Sequence, residues 1–353
     1  MNRAASLALT PLSVAYGAAV RIRNGLYRRG ILKSFVVRAP VIAIGNLTAG
    51  GTGKTPLVEF VAAQLAAEGR RVCVLTRGYR RQSSGQVLVS DYDQVLTDVS
   101  AAGDEALLLA ERLRRRSAVI VNTNRVAAAR WAIENLQSNV FILDDAFQHQ
   151  QIQRDLNILT VDAANAWGNH KVLPAGILRE PIREVARADC VMLTRADEST
   201  NVDQLQDTIG RVSPEARVFT SRMTPFAARP LKIAGHSPAS LINHVSSVAA
   251  FCGIGNPASF FSLIRQQGYT VSHTRAFPDH YNYRQLDIDR FIKDAIARGA
   301  RAVVTTAKDE VKIGSLNFDL PCYVIDITIE IDDAQAFLNL LREAVAMKAR
   351  KTS

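Results

Sequence analysis

Lys54 and Thr55 close the run Gly45-Asn46-Leu47-Thr48-Ala49-Gly50-Gly51-Thr52-Gly53-Lys54-Thr55, and residue types in this order serve the gripping of phosphate. Glycines let backbone N–H groups converge on phosphate oxygens, a lysine reaches the outer phosphates, and a threonine hydroxyl ligates Mg²⁺. Thr48, Ala49, Gly50, Gly51, Thr52 and Gly53 would line the anion, leaving Lys54 to the charge and Thr55 to the metal. Thr48 stands where the strict pattern has glycine, and where partition-type ATPases carry a second lysine, which argues against that class. The plain alternative is a glycine-rich turn that binds nothing. The Lys-Thr pair, the apolar run 41–44 before it and the helical pattern of Leu57, Val58, Val61 and Leu65 after it point instead to a nucleoside triphosphate.

Further acids and histidines have the types that phosphate transfer needs. Residues 140–143 are apolar and end in Asp144 and Asp145, the pattern of a strand whose acidic end holds Mg²⁺ beside a phosphate loop. Gly103-Asp104-Glu105 opens a helical pattern. Acids at a helix start ordinarily cap it. At the carboxyl edge of a sheet, the same carboxylate could take a proton from an attacking hydroxyl. Gln148-His149 and Asp279-His280-Tyr281 carry two of the six histidines, and their acidic neighbours lead us to expect raised pKa values there. The stretch 173–181 is a Pro-bounded loop holding Arg179 and Glu180, and 252–257 reads as a tight turn lining a second domain.

Elements that could position these groups follow from hydrophobic period. Strand patterns at 71–76, 86–90, 118–121, 140–144, 156–161 and 190–194 alternate with helical ones at 104–115 and 125–137, the mark of a mainly parallel sheet covered by helices. Prolines then flank a short strand at 217–222, and a second series of strands (247–252, 270–273, 302–306) and helices (after Pro257, 286–297) follows. The β-branched run 322–329 could pair with 217–222, so that two strands lead out to a smaller α/β domain and back. A last helix, 334–348, has Phe337, Leu340, Leu341 and Val345 on one face. The expected division is 1–35, a basic and apolar membrane-associating segment; 36–222, the nucleotide-binding domain; 228–320, the smaller domain; and 321–353, the return strand and final helix.

The chain has 353 residues, 48% of them hydrophobic, and a formal net charge of +10. Residues 1–40 hold seven basic side chains and no acid, so the rest is nearly balanced, which speaks against a broad nucleic-acid surface. Residues 4–20 are uncharged but broken by Pro11, Gly17 and hydroxyl residues. That is marginal against the roughly 20 apolar residues a membrane span needs. Export behind a signal peptide would leave a triphosphate site without ATP. An interfacial anchor on anionic lipid fits better than either, with an ordinary packed first helix as the alternative. Four dispersed cysteines, Cys73, Cys190, Cys252 and Cys322, read as buried reduced thiols.

Taken together, residues 45–56, Arg77-Gly-Tyr79, Gly103-Asp-Glu105, Asn124-Arg125, Asp144-Asp-Ala-Phe-Gln-His149, 173–181, Phe251-Cys-Gly-Ile-Gly-Asn-Pro257 and Phe277-Pro-Asp-His280 resemble the tetraacyldisaccharide 4′-kinase family, in order over 41–310. Thr48 is usual in that family, while Ala146 stands where many members have glycine. The resemblance implies transfer of the ATP γ-phosphoryl group to the 4′-hydroxyl of tetraacyldisaccharide 1-phosphate, with Mg²⁺. It implies Asp104 as base, His280 orienting it, and Lys54 on the phosphates. Thr55, Asp144, Asp145 and Glu105 go to the metal, and Tyr79, Arg125, Gln148, His149, Arg179 and Glu180 lie near nucleotide or substrate. It places the protein on the cytoplasmic face of the inner membrane, against anionic lipids and an acylated disaccharide phosphate. No nucleic acid or protein partner is inferred. A phosphate-loop kinase or ligase acting on a soluble acceptor is the alternative. A nucleotide-driven switch fits poorly, since 305–309 has the wrong spacing to read guanine and Ala146-Phe147 follow the paired acids.

Overall fold

A strand buried on both faces reads as a near-continuous apolar run, and the central strands are mostly apolar, with buried polar residues such as Asn46 and Asp144 at their carboxyl ends. In the computed structural model, which describes residues 8–231 and 247–352, the first series comprises β1 (Val41–Asn46), β2 (Val72–Thr76), β3 (Val87–Ser90), β4 (Ser117–Val121), β5 (Val140–Asp144), β6 (Leu156–Asp162) and β7 (Cys190–Thr194). All but β3 are buried along their whole length. The second series is β8 (Arg217–Pro230), β9 (Ser247–Cys252), β10 (Thr270–Ala276), β11 (Ala302–Thr306) and β12 (Cys322–Ile331). The strands form one sheet in the order β10-β9-β11-β12-β8-β7-β6-β1-β5-β2-β4-β3. Neighbours are parallel except β3 with β4 and β8 with β12.

The antiparallel pair decides where chemistry can occur. The first residues of β8 continue the parallel half, with Cys190 opposite Arg217 and Leu193 opposite Thr220. From Ser221 onward β8 pairs instead with β12, in a register running from Ser221 opposite Ile331 to Pro230 opposite Tyr323. The expected pairing of 217–222 with 322–329 is therefore corrected. The strand is 14 residues long, and its later part carries the contact. Because β12 reverses direction, the second half-sheet lies beyond the carboxyl edge of the first with its own carboxyl edge turned back. Loops leaving β9, β10 and β11 therefore face those leaving β1, β2 and β5, and ligands of open α/β sheets bind at such edges.

Helices cover both faces: α1 (Thr10–Arg28), α2 (Lys54–Ala67), α3 (Asp104–Arg112), α4 (Arg125–Leu136), α5 (Val202–Val212), α6 (Pro257–Gln266), α7 (Gln285–Ala297), α8 (Ala307–Ile313) and α9 (Ala334–Thr352). The final helix returns to the first half, where Phe337 packs edge-on against Phe219 of β8 with ring centroids 5.3 Å apart and reaches Phe60 of α2. The helix expected over 104–115 stops at Arg112, and α1, α5 and α8 had no counterpart among the elements read from period. All four cysteines are buried and free, as expected.

Helix α1 is inverted relative to an ordinary packed helix. It buries Ser13, Gly17, Val20 and Asn24, yet leaves Leu12, Val14 and Ile22 more than 60% exposed. Arg3 of the basic segment lies outside the described residues.

Candidate active site

The loop between β1 and α2 is held from beneath by short polar side chains. Asn46 Nδ2 donates to the Thr48 carbonyl at 2.8 Å and to Thr52 Oγ1 at 3.0 Å, and Thr52 Oγ1 meets Thr160 Oγ1 at 3.0 Å. Thr194 Oγ1 donates to the Thr52 carbonyl at 3.1 Å, and Arg195, paired with Asp162, donates to the Gly51 carbonyl at 3.3 Å. Gly53 takes φ +71°, a backbone conformation that favours glycine, and a Cβ there would also crowd the Met223 side-chain tip and Thr194. The chain then enters α2 at Lys54, leaving its first N–H groups free for an anion.

Lys54 Nζ lies 3.4 Å from Asp145 Oδ1. Arg179 Nη1 donates to both Asp145 oxygens, at 2.9 and 2.8 Å. Burial pushes Asp145 upward, but Lys54 and Arg179 outweigh it and hold the carboxyl below its ordinary value. Its neighbour Asp144 is 3% exposed and accepts from Thr76 Oγ1 at 3.0 Å. Burial, then the charges of Glu105 and Asp145, push Asp144 up to about 7 against the pull of Lys54. A buried carboxylate crowded by two others wants a cation. Mg²⁺ is usually held by one or two carboxylates plus phosphate oxygens, and the buried Asp144 carboxylate beside Glu105 and Asp145 suits such a cation. Among the described residues, no group of three or more His, Cys, Asp or Glu is placed to hold a metal ion.

This electrostatic crowding carries a prediction. Between pH 3.8 and about 7 the folded protein keeps Asp144 protonated while the unfolded chain has lost that proton, so stability falls as pH rises through that interval. Asp144→Asn should thus raise the ligand-free melting temperature at pH 8 and leave it unchanged at pH 3. Differential scanning fluorimetry at both values checks this, and equal shifts at the two would refute it.

The other wall of the site comes from the second half. His280 Nδ1 meets the Asp104 carboxylate at 3.0 and 2.8 Å, and the Tyr79 ring packs 5.1 Å from the His280 ring. Asp104 is 6% exposed and makes no cap to its own helix beyond the Glu105 N–H, at 3.0 Å. Burial raises it, yet the His280 bond and the charges of Lys308, His280 and Lys312 leave it below its ordinary value. Lys308 Nζ, at the start of α8, reaches Glu105 at 3.0 Å, Asp279 at 3.2 Å and His280 Nε2 at 3.5 Å. The turn 252–257 does more than line the second half. A Cβ on Gly255 would come within 3.0 Å of the Gly51 nitrogen, so this turn abuts the phosphate loop.

Between the halves lies a cleft of about 1290 Å³ reaching from Tyr16 and Tyr27 of α1 to Phe260 and Ile327. Tyr79, Arg125, Gln148, His149 and Arg179 all line it. Gln148 donates to the Asn46 carbonyl at 2.8 Å. Arg125 Nε and His149 Nε2 are buried with no hydrogen-bond partner. The expectation of a raised histidine pKa fails at His149. Burial, Arg125, Arg154 and Arg77 lower it to about 4. Glu180 lies under the cleft, fully buried and paired with Arg23 and Arg187. Arg77 entered the sequence reading only as part of the Arg77-Gly-Tyr79 motif, and Lys308 and Lys312 had no site role there. The signal for Lys308 in the sequence is a lysine just inside a helix that follows a buried strand.

A phosphate loop, an acidic strand end beside it and a carboxylate met by a histidine from the opposed half-sheet define a phosphate-loop kinase. The sequence profile described as "Tetraacyldisaccharide-1-P 4'-kinase" matches residues 5–346. Relatives with the name "Tetraacyldisaccharide 4'-kinase" include those of Desulfotalea psychrophila, 36% identical with 89% of each chain covered, and Geobacter metallireducens, 39% identical with 89% of this chain and 90% of the relative covered. A crystal structure of LpxK from Aquifex aeolicus in complex with ATP superposes with a TM-score of 0.76 at 29% identity, covering 96% of this chain and 99% of that one. The chain belongs to the tetraacyldisaccharide-1-P 4′-kinase family. It is an ATP- and Mg²⁺-dependent phosphotransferase of lipid A biosynthesis.

Proposed function

We propose that Asp104 is the general base for this transfer, taking the proton of the 4′-hydroxyl of a tetraacyldisaccharide 1-phosphate as the ATP γ-phosphoryl group moves to it. The observation that carries the reading is the bond between Asp104 and His280, made across the cleft from two half-sheets. His280 fixes the direction of the carboxylate. A sugar hydroxyl is a poor acid, so a carboxylate of low pKa accepts its proton late, as the loose transition state collapses onto the acceptor. Lys54 and the loop N–H groups take the phosphate charge, and Mg²⁺ at Thr55 and the Asp144, Asp145 and Glu105 carboxylates supplies further neutralisation. Arg125, His149, Gln148 and Tyr79 line the acceptor side, with Arg77 beside them. The portion 36–222 serves as the nucleotide half, 228–320 as the half that closes on it, and 321–353 as the return. Incubating the protein with Mg-ATP and a tetraacyldisaccharide 1-phosphate tests the reading. A bisphosphorylated lipid is expected, and none would form if the acceptor were a soluble metabolite.

We also propose that α1 lies in the cytoplasmic surface of the inner membrane, where the acylated acceptor resides. Among the described residues no helix is long and apolar enough to cross a bilayer. The outward Leu12, Val14 and Ile22 suit the headgroup boundary, and Arg21, Arg28, Arg29 and Lys33 suit anionic lipid. Burying one Leu or Ile side chain is worth about 1.5–3 kcal/mol. Leu12→Asp with Ile22→Asp should therefore cut partition onto anionic vesicles at least about tenfold. Affinity for Mg-ATP in solution should stay that of the parent. Undiminished vesicle binding by this variant would end the anchor reading.

A further inference from the structure

The polar side of α1 is bonded to the segment that braces the phosphate loop. Ser13 Oγ donates to the Val172 carbonyl at 2.6 Å, and Tyr16 Oη donates to the Arg179 carbonyl at 2.9 Å. Arg23 pairs with Glu180, and Asn24 Nδ2 donates to Glu184 at 2.9 Å and Glu180 at 3.4 Å. The opposite side of the same segment holds the loop. Arg179 N–H donates to the Leu47 carbonyl at 2.6 Å, and Ala49 N–H donates to the Ile177 carbonyl at 2.7 Å. The Arg179 side chain meanwhile grips Asp145, which faces Lys54. Residue 179 is thus the shared piece. Its carbonyl is held by α1, its N–H by the loop and its guanidinium by a metal-side acid.

Glu180 makes this connection stiff. It is 0% exposed and its charge is met by Arg23 from α1 and Arg187 from below. Without Arg23, Glu180 keeps Arg187 alone, so a carboxylate with no exposure has one cation where it had two and its charge is less well compensated. Residues 179 and 180 are therefore held less firmly once α1 lifts away.

We propose that Tyr16 and Arg23 are positioning residues for the nucleotide site. Through the 171–180 strap they hold Arg179 and the phosphate loop in place, so that seating α1 and binding Mg-ATP favour each other. Coupling of this kind is reciprocal between the two events. The inference rests on the reading of the loop as an ATP site and on α1 as the lipid-facing helix, and it gives that helix a second task.

The full-length chain in detergent without lipid acceptor tests it, with Mg-ATP affinity measured by calorimetry. Tyr16→Phe keeps the ring and the fold but loses the bond to the Arg179 carbonyl, and its Kd for Mg-ATP should rise about fivefold, as for one hydrogen bond. Arg23→Met should raise it about tenfold or more, and Arg23→Lys, which keeps a cation on Glu180, should recover most of the loss. In turnover assays on mixed micelles the KM for ATP should rise while the KM for the acceptor stays constant. A helix that only anchors gives the reverse split, with ATP affinity at the parental value in both variants, and that result overturns the proposal. Equal weakening by Arg23→Met and Arg23→Lys would also overturn it, since general loosening of the helix would then suffice. A parent chain that fails to bind Mg-ATP would sink the nucleotide site itself, a separate outcome from unchanged variants.

Discussion

Lys54→Ala should lose phosphoryl transfer by at least about a hundredfold, the scale of removing one charge-stabilising donor from a preorganised site, and in practice turnover should be undetectable. The fold should survive. Lys54 sits at the first position of α2, where its backbone continues the loop, and its side chain touches Asp145 at 3.4 Å without joining the apolar core. Asp145 keeps both bonds to Arg179 when the lysine is gone, so its charge stays paired. A loss of about 1 kcal/mol is the most this partly exposed pair accounts for, and in a protein of this size that moves the melting temperature by a few degrees. A coupled ADP-release assay beside a thermal melt measures both. Activity near that of the parent would mean that the loop does not carry the phosphates.

Much of this arrangement could be read before any coordinates. A phosphate loop announces itself because the glycines, lysine and hydroxyl must be contiguous for the backbone to wrap an anion. The alternation of apolar runs gave away the parallel sheet for a similarly local reason. What could not be read was the confrontation of two carboxyl edges. It depends on β8 pairing with β7 through its first residues and with β12 through its later ones, a register no local pattern encodes. The same long-range step hides the role of Lys308, which acquires meaning only when α8 is brought against Glu105 and His280. His149 shows the opposite error. Its sequence neighbours Asp144 and Asp145 suggested a raised pKa, whereas the groups near it in space are Arg125, Arg154 and Arg77. Asp104 lay between: a helix start explained it locally, and the histidine that gives it another purpose is 176 positions away.

Asp104→Asn separates those two explanations. Asparagine caps a helix about as well as aspartate, and its amide oxygen can still accept from the Glu105 N–H that bonds Asp104 Oδ1 at 3.0 Å. It cannot take a proton at neutral pH. If Asp104 serves as base, kcat should fall at least about a hundredfold, the low end for losing general-base catalysis. The KM for ATP should barely change, because the phosphates are held by the loop N–H groups and Lys54 rather than by Asp104. Since Asp104 is held below its ordinary value of 3.8 by His280, Lys308 and Lys312 despite its burial, it stays ionised throughout the neutral range. Any acid limb in the parent's kcat between pH 5 and 8 must then belong to another group. The same lowered value means that Asp104 adds stability above about pH 4 that is lost on acidification. Part of that is forfeited in Asp104→Asn, so its melting temperature at pH 7 should be modestly lower. Turnover has to be compared at a temperature where both proteins are folded. Under those conditions a fully active Asp104→Asn would leave the acid as a helix-start residue, and the proton of the 4′-hydroxyl would need a different destination.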